Sequence, residues 1–295
     1  MNEYEGIVNI LKPPGMTSSN VVSDVRRLFG VKRVGHTGTL DPGAAGVLPV
    51  CVGRATRLFD IFVDKQKEYI AEIAFGACTD TQDSYGQILK TSDINIDEDA
   101  LRAVLPAFTG RQVQIAPAYS ALKIEGQALY KLARAGKEVP ERKREVEISA
   151  LELLQKTAQN RYLLKVNCSR GTYVRTLCED IGRALLACAH MSFLLRSASG
   201  DFCVAQSYTI RELEQMQAAG TLWDALLPIE NALHFLSRVE VAGDVAEKLK
   251  HGSPVSLQGD DPKGEGLCRI YCGETFLGVG DCTKAALKLK LHLYQ

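Results

Sequence analysis

Apolar residues near the start of the chain follow two patterns that predict a strand and then a helix. Residues 6–11 (Gly-Ile-Val-Asn-Ile-Leu) form an apolar run typical of a strand, and residues 12–15 (Lys-Pro-Pro-Gly) end it in a turn. Apolar residues then recur three and four positions apart, which predicts an amphipathic helix. Thr17 or Ser18 can cap the start of this helix, and Gly30 ends it.

The same kinds of pattern predict further strands and helices. Residues 67–76 alternate, so Tyr69 is expected on one face of a strand together with apolar neighbours. Thr172 can cap a helix with Arg175 on its buried side, and residues 209–212 have the form of a capping box. Further predicted strands cover residues 47–53, 146–154, 162–168, 192–196 and 202–205. Further predicted helices include residues 97–105 and 129–135, one that starts at residue 54 and runs through residue 62, one that starts at residue 228 and one at residues 245–249.

The order of these elements predicts two domains. Residues 1–236 interleave strands and helices without a strict βαβ rhythm, which is typical of an α/β or α+β domain with a mixed sheet. Residues 115–145 interrupt this pattern, as a surface insertion or a lid does. Residues 237–295 predict a small β-rich domain, with a hairpin turn at residues 272–274.

Composition excludes several classes of protein. The hydrophobic fraction of 46% and the charged fraction of 24% are ordinary for a globular protein. The sequence has no run of about 18 apolar residues and no apolar segment typical of a signal peptide, so we expect a cytoplasmic protein that does not bind a membrane. The nine cysteines are scattered without a Cys-x-x-Cys pair, which indicates reduced thiols and argues against a zinc site.

Charge is balanced in total but not in distribution. The chain has 35 basic and 35 acidic residues, and this argues against a general polyanion binder. Basic residues are concentrated in residues 26–57, 123–144 and 161–183. Such clusters are usually a solvated surface, and three of them can also form one local site for phosphates.

A glycine-rich stretch, residues 35–46, carries the main candidate for chemistry. Its composition alone favours a solvated turn, but the buried strand predicted after it would make it a rigid place for a reactive group. Asp41 is the only acid between Arg26 and Arg57. Nearby arginines are expected to lower the pKa of Asp41 and keep it ionised, as a nucleophile or a base requires. No metal, triad or phosphate-loop motif accompanies it, so the enzymatic interpretation is chemistry on one carboxylate without a metal or cofactor.

The other candidate residues each have a plain structural interpretation. His36 is most simply a hydrogen-bonded turn residue, and Tyr69 is most simply a core aromatic. Arg175 faces inward and needs a carboxylate partner, for which Asp41 is suitable, although the spacing does not prove that they meet. Packing also accounts for the two remaining candidates, Tyr173 and Leu194.

Several motifs, in order along residues 6–235, closely resemble those of the TruB family of tRNA pseudouridine synthases. The most specific are residues 35–42 (Gly-His-Thr-Gly-Thr-Leu-Asp-Pro), 46–50 (Gly-Val-Leu-Pro-Val), 67–69 (Lys-Glu-Tyr) and 171–177 (Gly-Thr-Tyr-Val-Arg-Thr-Leu). Residues 12–18, 79–83 and 117–123 match further segments of the family. The end of the chain resembles the family's small PUA-like RNA-binding domain.

This resemblance implies an α+β pseudouridine synthase fold, with a mixed, mainly antiparallel sheet flanked by helices and a β-rich PUA-like domain. It also implies isomerisation of uridine to pseudouridine at position 55 in the T-arm of tRNA. The base is detached from C1′, turned and rejoined through C5, with no cofactor or metal. Residues 115–145 would be a clamp over the RNA, and the protein would act as a monomer without an obligate protein partner.

The matching motifs also imply roles for single residues. Asp41 would be the catalytic carboxylate, and Arg175 would pair with it. Tyr69 would stack on the target base, and His36 would enter the T-loop where the base leaves. The uridine pocket would be lined by two further residues, Tyr173 and Leu194.

Three alternatives remain open at this point. A tRNA-folding chaperone would use the same surfaces without catalysis. A sibling synthase that acts at guide-RNA-selected sites would depend on partner proteins. An N-glycosidase would share the early steps and release uracil. The atom on which Asp41 acts is open too, because attack at C1′, attack at C6 and proton abstraction all use one carboxylate.

Overall fold

The computed structural model describes residues 4–120, 122–124, 127–256 and 265–294. Within these ranges the chain forms one sheet of nine strands, one sheet of five strands and two short two-stranded ribbons, together with eight α-helices. No α-helix in this part of the chain is both long enough and apolar enough to cross a membrane.

The nine-stranded sheet is mixed and mainly antiparallel, as expected from the sequence. The strands up to residue 203 are β1 (Gly6–Lys12), β2 (Val34–His36), β3 (Ala45–Val52), β4 (Lys67–Phe75), β5 (Ala77–Thr79), β6 (Ile88–Thr91), β7 (Gly110–Ile115), β8 (Lys123–Ile124), β9 (Gln127–Ala128), β10 (Lys143–Ala158), β11 (Arg161–Cys168), β12 (Ala189–Ser199) and β13 (Phe202–Cys203). The order of strands in the nine-stranded sheet is β1-β3-β12-β4-β11-β10-β7, with β2 beside β3 and β13 beside β12. Each neighbouring pair in this sheet is antiparallel except β3 with β12. The two ribbons are β5 with β6 and β8 with β9.

The predicted caps of two helices are confirmed. The helices are α1 (Ser18–Phe29), α2 (Phe59–Val63), α3 (Glu98–Val104), α4 (Leu129–Arg134), α5 (Val174–Ala184), α6 (Ile210–Ala219), α7 (Ile229–Ala232) and α8 (Gly243–Lys250). The Thr17 hydroxyl accepts from the Asn20 N–H at 3.0 Å at the start of α1, and Gly30 ends this helix with a φ of 66°. Thr209 and Glu212 form the predicted capping box of α6.

The start of α5 differs from the prediction. Thr172 does not cap this helix, because its hydroxyl donates to the Ser169 carbonyl at 3.0 Å and closes the preceding turn. Tyr173 occupies the N-cap position and so lies before the helix. The side chain of Gln114, in β7, accepts from the Tyr173 N–H at 2.9 Å and donates to the Tyr173 carbonyl at 3.3 Å. The backbone that leads into α5 is therefore fixed by another strand, which a local pattern cannot show.

Apolar residues of β1 and β3 alternate between two cores. Val8 and Leu48 belong to the core that α1 and α5 cover, and Ile7 and Val47 belong to a second core that includes residues of α2 and α7. Because both of its faces are covered, β3 is buried at every position except its first. The loop that precedes β3 is therefore joined directly to a rigid strand, as predicted.

The irregular segment of the chain lies between two neighbouring strands. Ile115 at the end of β7 is opposite Lys143 at the start of β10, so residues 116–142 leave the sheet and return to it at one edge. The predicted helix of this segment is confirmed as α4. Strand β7 has no counterpart in the sequence prediction, because its apolar residues face solvent, with Val113 57% exposed. Residues 121, 125 and 126 of the predicted insertion 115–145 lie outside the described residues.

The five-stranded sheet forms the β-rich C-terminal part of the chain. Its order is β14-β16-β17-β18-β15, where the strands are β14 (Ser237–Glu240), β15 (Val255–Ser256), β16 (Gly266–Cys272), β17 (Thr275–Cys282) and β18 (Ala286–His292). Strands β16 and β17 form the predicted hairpin. Two hydrogen bonds connect this C-terminal part to the rest of the chain. Arg57 donates to the His292 carbonyl at 2.6 Å, and the Tyr271 hydroxyl donates to Glu230 at 2.7 Å. Residues 257–264 and 295 of this predicted domain are outside the described ranges.

Candidate functional site

The loop between β2 and β3, which carries Asp41, is held by hydrogen bonds from the preceding turn and helix. The Ser18 hydroxyl donates to the Leu40 carbonyl at 3.0 Å and accepts from the Leu40 N–H at 2.9 Å. The Gly15 N–H donates to the Pro42 carbonyl at 2.8 Å. These bonds fix the backbone on both sides of Asp41, so its carboxylate is presented in one direction.

Lys12, at the end of β1, also stabilises the Asp41 loop. Its side chain is fully buried, and Nζ donates to the carbonyls of Pro13 at 2.8 Å, Met16 at 2.7 Å and Pro42 at 3.2 Å. Burial lowers the pKa of Lys12 to about 8, although the nearby Asp41 carboxylate opposes this shift. The lysine therefore joins the Lys-Pro-Pro-Gly turn to the Asp41 loop and places a positive charge behind the carboxylate.

Arg196 in β12 holds the other end of this loop. The side chain is 1% exposed, and its guanidinium donates to the Val47 carbonyl at 2.7 Å and to the Gly38 carbonyl at 3.2 Å. Its backbone pairs with Gly46 in the parallel part of the sheet. A buried guanidinium thus binds loop and strand together and also brings a positive charge to the cleft.

Arg175 in α5 forms an ion pair with Asp41, and this contact confirms the pairing that the sequence left unproved. Arg175 Nε lies 3.0 Å from Asp41 Oδ2. The guanidinium also donates to the carbonyls of Thr81 at 3.1 Å and Tyr119 at 3.1 Å. Asp83 Oδ2 is 4.0 Å from Arg175 Nη1. One buried arginine therefore connects the Asp41 loop, the loop after β5 and the start of the insertion.

The direction in which the pKa of Asp41 shifts differs from the prediction. The sequence predicts that arginines lower the pKa of Asp41, but burial in the cleft raises it above its ordinary value of 3.8. Arg175 and Lys12 oppose this shift, while the Asp83 carboxylate adds to it. The carboxylate side chain keeps 38% of its surface accessible, so a substrate can still reach it.

Tyr69 and Lys67 in β4 form another wall of the cleft. They are two positions apart, so both side chains point to the same face of the sheet. Desolvation raises the pKa of the Tyr69 hydroxyl, and the nearby charge of Arg196 opposes this shift. Lys67 is buried, donates to the carbonyls of Val63 and Lys65, and has its pKa lowered by burial to about 8. Tyr69 and Lys67 therefore bring an uncharged aromatic ring and a buried amine to the same cavity.

His36 lies at the end of β2 on the other side of Asp41. Its Nδ1 accepts from the Gly38 N–H at 3.3 Å, which leaves the proton on Nε2. Partial burial and the Arg196 charge lower the pKa of His36, so the imidazole is neutral at pH 7. His36 is hydrogen-bonded, as the plain interpretation expects, but it is the last residue of a strand and not a turn residue, and it also lines the larger cavity.

Two adjoining cavities, of about 540 and 670 Å³, meet at the Asp41–Arg175 pair. Both are lined by Asp41, Arg175 and Leu194. Tyr69 and Tyr173 line the smaller one, and His36 lines the larger one. All six candidate residues therefore surround one cleft, although they come from residues 36 to 194. The cavities are also lined by residues that were not singled out as candidates from the sequence, namely Lys67, Asp83, Ser120, Arg144, Arg170 and Arg196.

Residues at or near the cleft that the sequence did not single out fall into two groups, those with a signal in the sequence and those with none. Lys12, Asp83 and Ser120 lie within motifs that match family segments, but motif membership does not say which member faces the cleft. Arg196 and Gln114 lie in ordinary strand sequence, and only their burial reveals them, with 1% of each exposed.

The remaining candidate chemistry of the sequence lies outside this cleft. The nine cysteines are all free thiols. Within the ranges that the structure describes, no group of three or more histidine, cysteine, aspartate or glutamate side chains is placed to hold a metal ion.

Comparisons with known proteins cover nearly the whole chain. Residues 26–174 match the model of the TruB family pseudouridylate synthase N-terminal domain. Residues 175–234 match the tRNA pseudouridylate synthase B C-terminal domain, and residues 237–288 match the pseudouridine synthase II TruB C-terminal model.

Curated relatives carry the name tRNA pseudouridine synthase B. The protein of Alkaliphilus oremlandii is 42% identical over 280 residues, which is 93% of this chain and 92% of the relative. That of Symbiobacterium thermophilum is 48% identical over 85% of this chain and 83% of its own length. That of Bacillus subtilis is 43% identical over 84% of this chain and 82% of its own length.

Solved structures share the fold. The structure described as a Cbf5-Nop10-Gar1 complex has a chain that matches with a TM-score of 0.75 and 26% identity, over 98% of this chain and 84% of that one. A chain from an H/ACA RNP bound to a substrate RNA containing 2′-deoxyuridine also gives a TM-score of 0.75, with 24% identity over 98% of this chain and 85% of that one.

Proposed function

The chain belongs to the TruB family of pseudouridylate synthases and isomerises uridine to pseudouridine in tRNA, and from this premise we propose that Asp41 is the carboxylate that performs the reaction. The substrate in this proposal is the T-arm stem-loop, and the target is uridine 55. The observation that carries the proposal is the 3.0 Å ion pair between Asp41 and Arg175 at the junction of the two cavities. The ion pair fixes the position of a solvent-accessible carboxylate that a nucleotide in either cavity can contact.

The reaction makes one demand on this carboxylate, which is that it be ionised. The bond from N1 to C1′ breaks, the uracil turns, and a bond forms from C5 to C1′. C5 then loses its proton and N1 gains one, so the product is an isomer of the substrate. Attack at C1′, attack at C6 and proton removal each start from ionised Asp41, which Arg175 and Lys12 favour electrostatically.

The walls of the smaller cavity suit a flipped pyrimidine. A base inside a folded loop must leave its stack before an enzyme can reach it, at a cost of a few kcal/mol. Stacking on an aromatic ring recovers about 1–3 kcal/mol per base. We assign this role to Tyr69, with Tyr173 and Leu194 completing the pocket, since all three line the same cavity as Asp41.

The larger cavity supports the T-loop as the substrate. His36 is a neutral, fixed ring at its wall, so it can fill the space that an extruded base leaves without bringing a charge into the loop. Basic residues at the cleft, Arg144 and Arg170, line the smaller cavity and are placed to contact phosphates.

The insertion supports a clamp that belongs to the chain itself. The Tyr119 carbonyl is bound to the same guanidinium that holds Asp41, so the start of residues 115–145 is tied to the catalytic pair. An in-chain clamp favours a monomer that acts on tRNA without an obligate protein partner. This part of the proposal differs from the solved chain with a TM-score of 0.75 and 26% identity, which comes from a complex with Nop10 and Gar1.

Domain division and location are also part of the proposal. We divide the chain into a catalytic domain at residues 1–236 and a PUA-like RNA-binding domain at residues 237–295, supported by the separate sheet and core of β14 to β18. A cytoplasmic location is supported by the nine free thiols, which a reducing compartment preserves.

The proposal is tested by incubating a T-arm hairpin with the wild-type protein or with Asp41→Asn, followed by nucleoside analysis. Asn has nearly the same shape as Asp but no charge, so we expect pseudouridine formation to fall by at least about 1,000-fold because the nucleophile or base is lost. Hairpin affinity should stay within a few-fold of wild type.

Three results would separate the competing functions. Pseudouridine formation at the wild-type rate by Asp41→Asn would exclude Asp41 as the catalytic group. Hairpin binding without pseudouridine from the wild type would indicate a chaperone. Free uracil as the product would indicate an N-glycosidase.

A further inference from the structure

Ser120 combines burial with an unused hydrogen-bonding group. The residue is 3% exposed, and its Oγ has no hydrogen-bond partner within the part of the chain that the structure describes. Buried hydroxyl groups in native proteins are nearly always bonded, because an unpaired one is costly. Asn9 Oδ1 shares this condition, but Asn9 lines neither cavity and its amide group donates to the Cys203 carbonyl. Ser120 is thus an unpaired hydroxyl at the site itself.

The position of Ser120 points to the reacting nucleotide. Both cavities are lined by Ser120 together with Asp41 and Arg175, so the serine lies at the junction where the carboxylate acts. Its backbone is held on both sides. The Tyr119 carbonyl accepts from Arg175 at 3.1 Å, and the Ser120 carbonyl accepts from the Tyr130 N–H at 3.1 Å. A group held in this way does not have to be ordered when substrate binds.

The chemistry of the reaction suggests what the hydroxyl contacts. The edge of uracil presents O4, N3–H and O2 in that order. Turning the ring about the axis through N3 and C6 exchanges N1 with C5 and, at the same time, exchanges O2 with O4. A donor at a fixed position therefore meets a carbonyl oxygen both before the base is turned and afterwards.

We propose that the Ser120 hydroxyl donates a hydrogen bond to a carbonyl oxygen of the target uracil, and that the turned base offers its other carbonyl oxygen to the same donor. This contact rests on the proposed function of the cleft. It gives the detached base one constant anchor while Tyr69 supports its face.

The test compares single-turnover rates on a T-arm hairpin for the wild type, Ser120→Ala and Ser120→Thr. Loss of one neutral hydrogen bond is expected to slow Ser120→Ala by about 3- to 10-fold, and Ser120→Thr, which keeps the hydroxyl, should recover most of the rate. The melting temperature of Ser120→Ala should equal or exceed that of wild type, because the hydroxyl loses no partner in the protein. A purely structural serine would instead lower the melting temperature on substitution.

Thio-substituted hairpins test the contact at the level of atoms. Sulfur is a weak acceptor, so 2-thiouridine or 4-thiouridine at the target position should slow the wild type more than it slows Ser120→Ala. The matched control is Ser207→Ala, whose hydroxyl donates to the Val204 carbonyl at 2.6 Å away from both cavities. That variant should keep the wild-type rate.

Each outcome separates this contact from the function of the cleft. If wild type forms pseudouridine and Ser120→Ala matches its rate, the contact is wrong and the function stands. An equal thio effect in both proteins, or a melting temperature of Ser120→Ala well below wild type, also overturns the contact. If wild type forms no pseudouridine, the proposed function itself fails.

Discussion

At the scale of the residue, the surroundings of Asp41 act on its pKa in opposite directions. Burial and the Asp83 carboxylate disfavour its charge, while Arg175 and Lys12 favour it, and burial has the larger effect on its pKa. A carboxylate of this kind is poorly solvated and so is more reactive than one in water. The ion pair with Arg175 and the charge of Lys12 oppose the rise in the pKa of Asp41, so both favour the ionised form that the reaction needs.

This balance predicts the acid side of the pH profile. The single-turnover rate on a T-arm hairpin should fall as pH decreases, with a midpoint above 3.8, the ordinary pKa of Asp, because the protonated form of Asp41 is inactive. Asp83→Asn removes a negative charge that raises the pKa of Asp41, so its midpoint should lie at lower pH.

Asp180→Asn is the control for this profile. The pKa of Asp180 is also raised by burial, but Asp180 lines neither cavity and should leave the midpoint unchanged. A rate that stays constant down to pH 4, or an equal shift in both variants, would contradict the assignment to Asp41.

At the scale of the element, the Asp41 loop depends on the parallel pairing of β3 with β12. This pairing joins Gly46 to Arg196 at the only parallel step within the described strands of the main sheet. Gly46 has a φ of +118°, and a Cβ there would lie 2.2 Å from the Arg196 carbonyl oxygen. The close approach of the two strands therefore requires glycine at this position.

Gly46→Ala should consequently be strongly destabilising. Strain at the positive φ and overlap with backbone atoms should together cost about 3 kcal/mol of the free energy of unfolding, measured in denaturant. Loss of the pairing should also move Arg196 from the Gly38 carbonyl and lower the turnover rate.

The control substitution is Gly35→Ala, one strand away. A Cβ at Gly35 meets no atom within 4 Å, and its φ is outside the positive region, so we expect a change below about 0.5 kcal/mol. Equal stability of the two variants would show that the β3–β12 contact does not constrain the loop.

At the scale of the whole molecule, a neutral protein carries a local cationic cleft. The net charge is zero. Four cations line the smaller cavity together with Asp41, namely Lys67, Arg144, Arg175 and Arg196, and the buried Lys12 interacts electrostatically with Asp41. Such a distribution favours one folded RNA over polyanions in general and lets the product leave.

Salt dependence should report this local footprint. Hairpin affinity should fall with increasing KCl, and Arg144→Ala should reduce the slope of log affinity against log salt concentration by about 1, as expected for the loss of one phosphate contact. Arg102→Ala, on α3 and paired with Glu98, is the control and should keep the wild-type slope. Equal slopes in the two variants would remove Arg144 from the RNA contact.

Features that depend on interactions between neighbouring residues could be predicted from the sequence. Strand alternation, the caps of α1 and α6, and the motif around Asp41 depend on neighbours within a few residues, and the sequence by itself determined them. Five of the six candidate residues were found in the same way, because each belongs to a short motif, and Leu194 followed from the family resemblance without a motif of its own. The sequence also determined the mixed sheet and the β-rich end of the chain.

Only the tertiary structure decided which of these residues meet and in what environment. The Arg196 guanidinium and the Val47 carbonyl are 149 positions apart, and Gln114 fixes the Tyr173 backbone from 59 positions away. The pKa of Asp41 was predicted in the wrong direction for the same reason. Neighbouring charges can be read along a chain, whereas desolvation depends on how much protein the fold packs around a group.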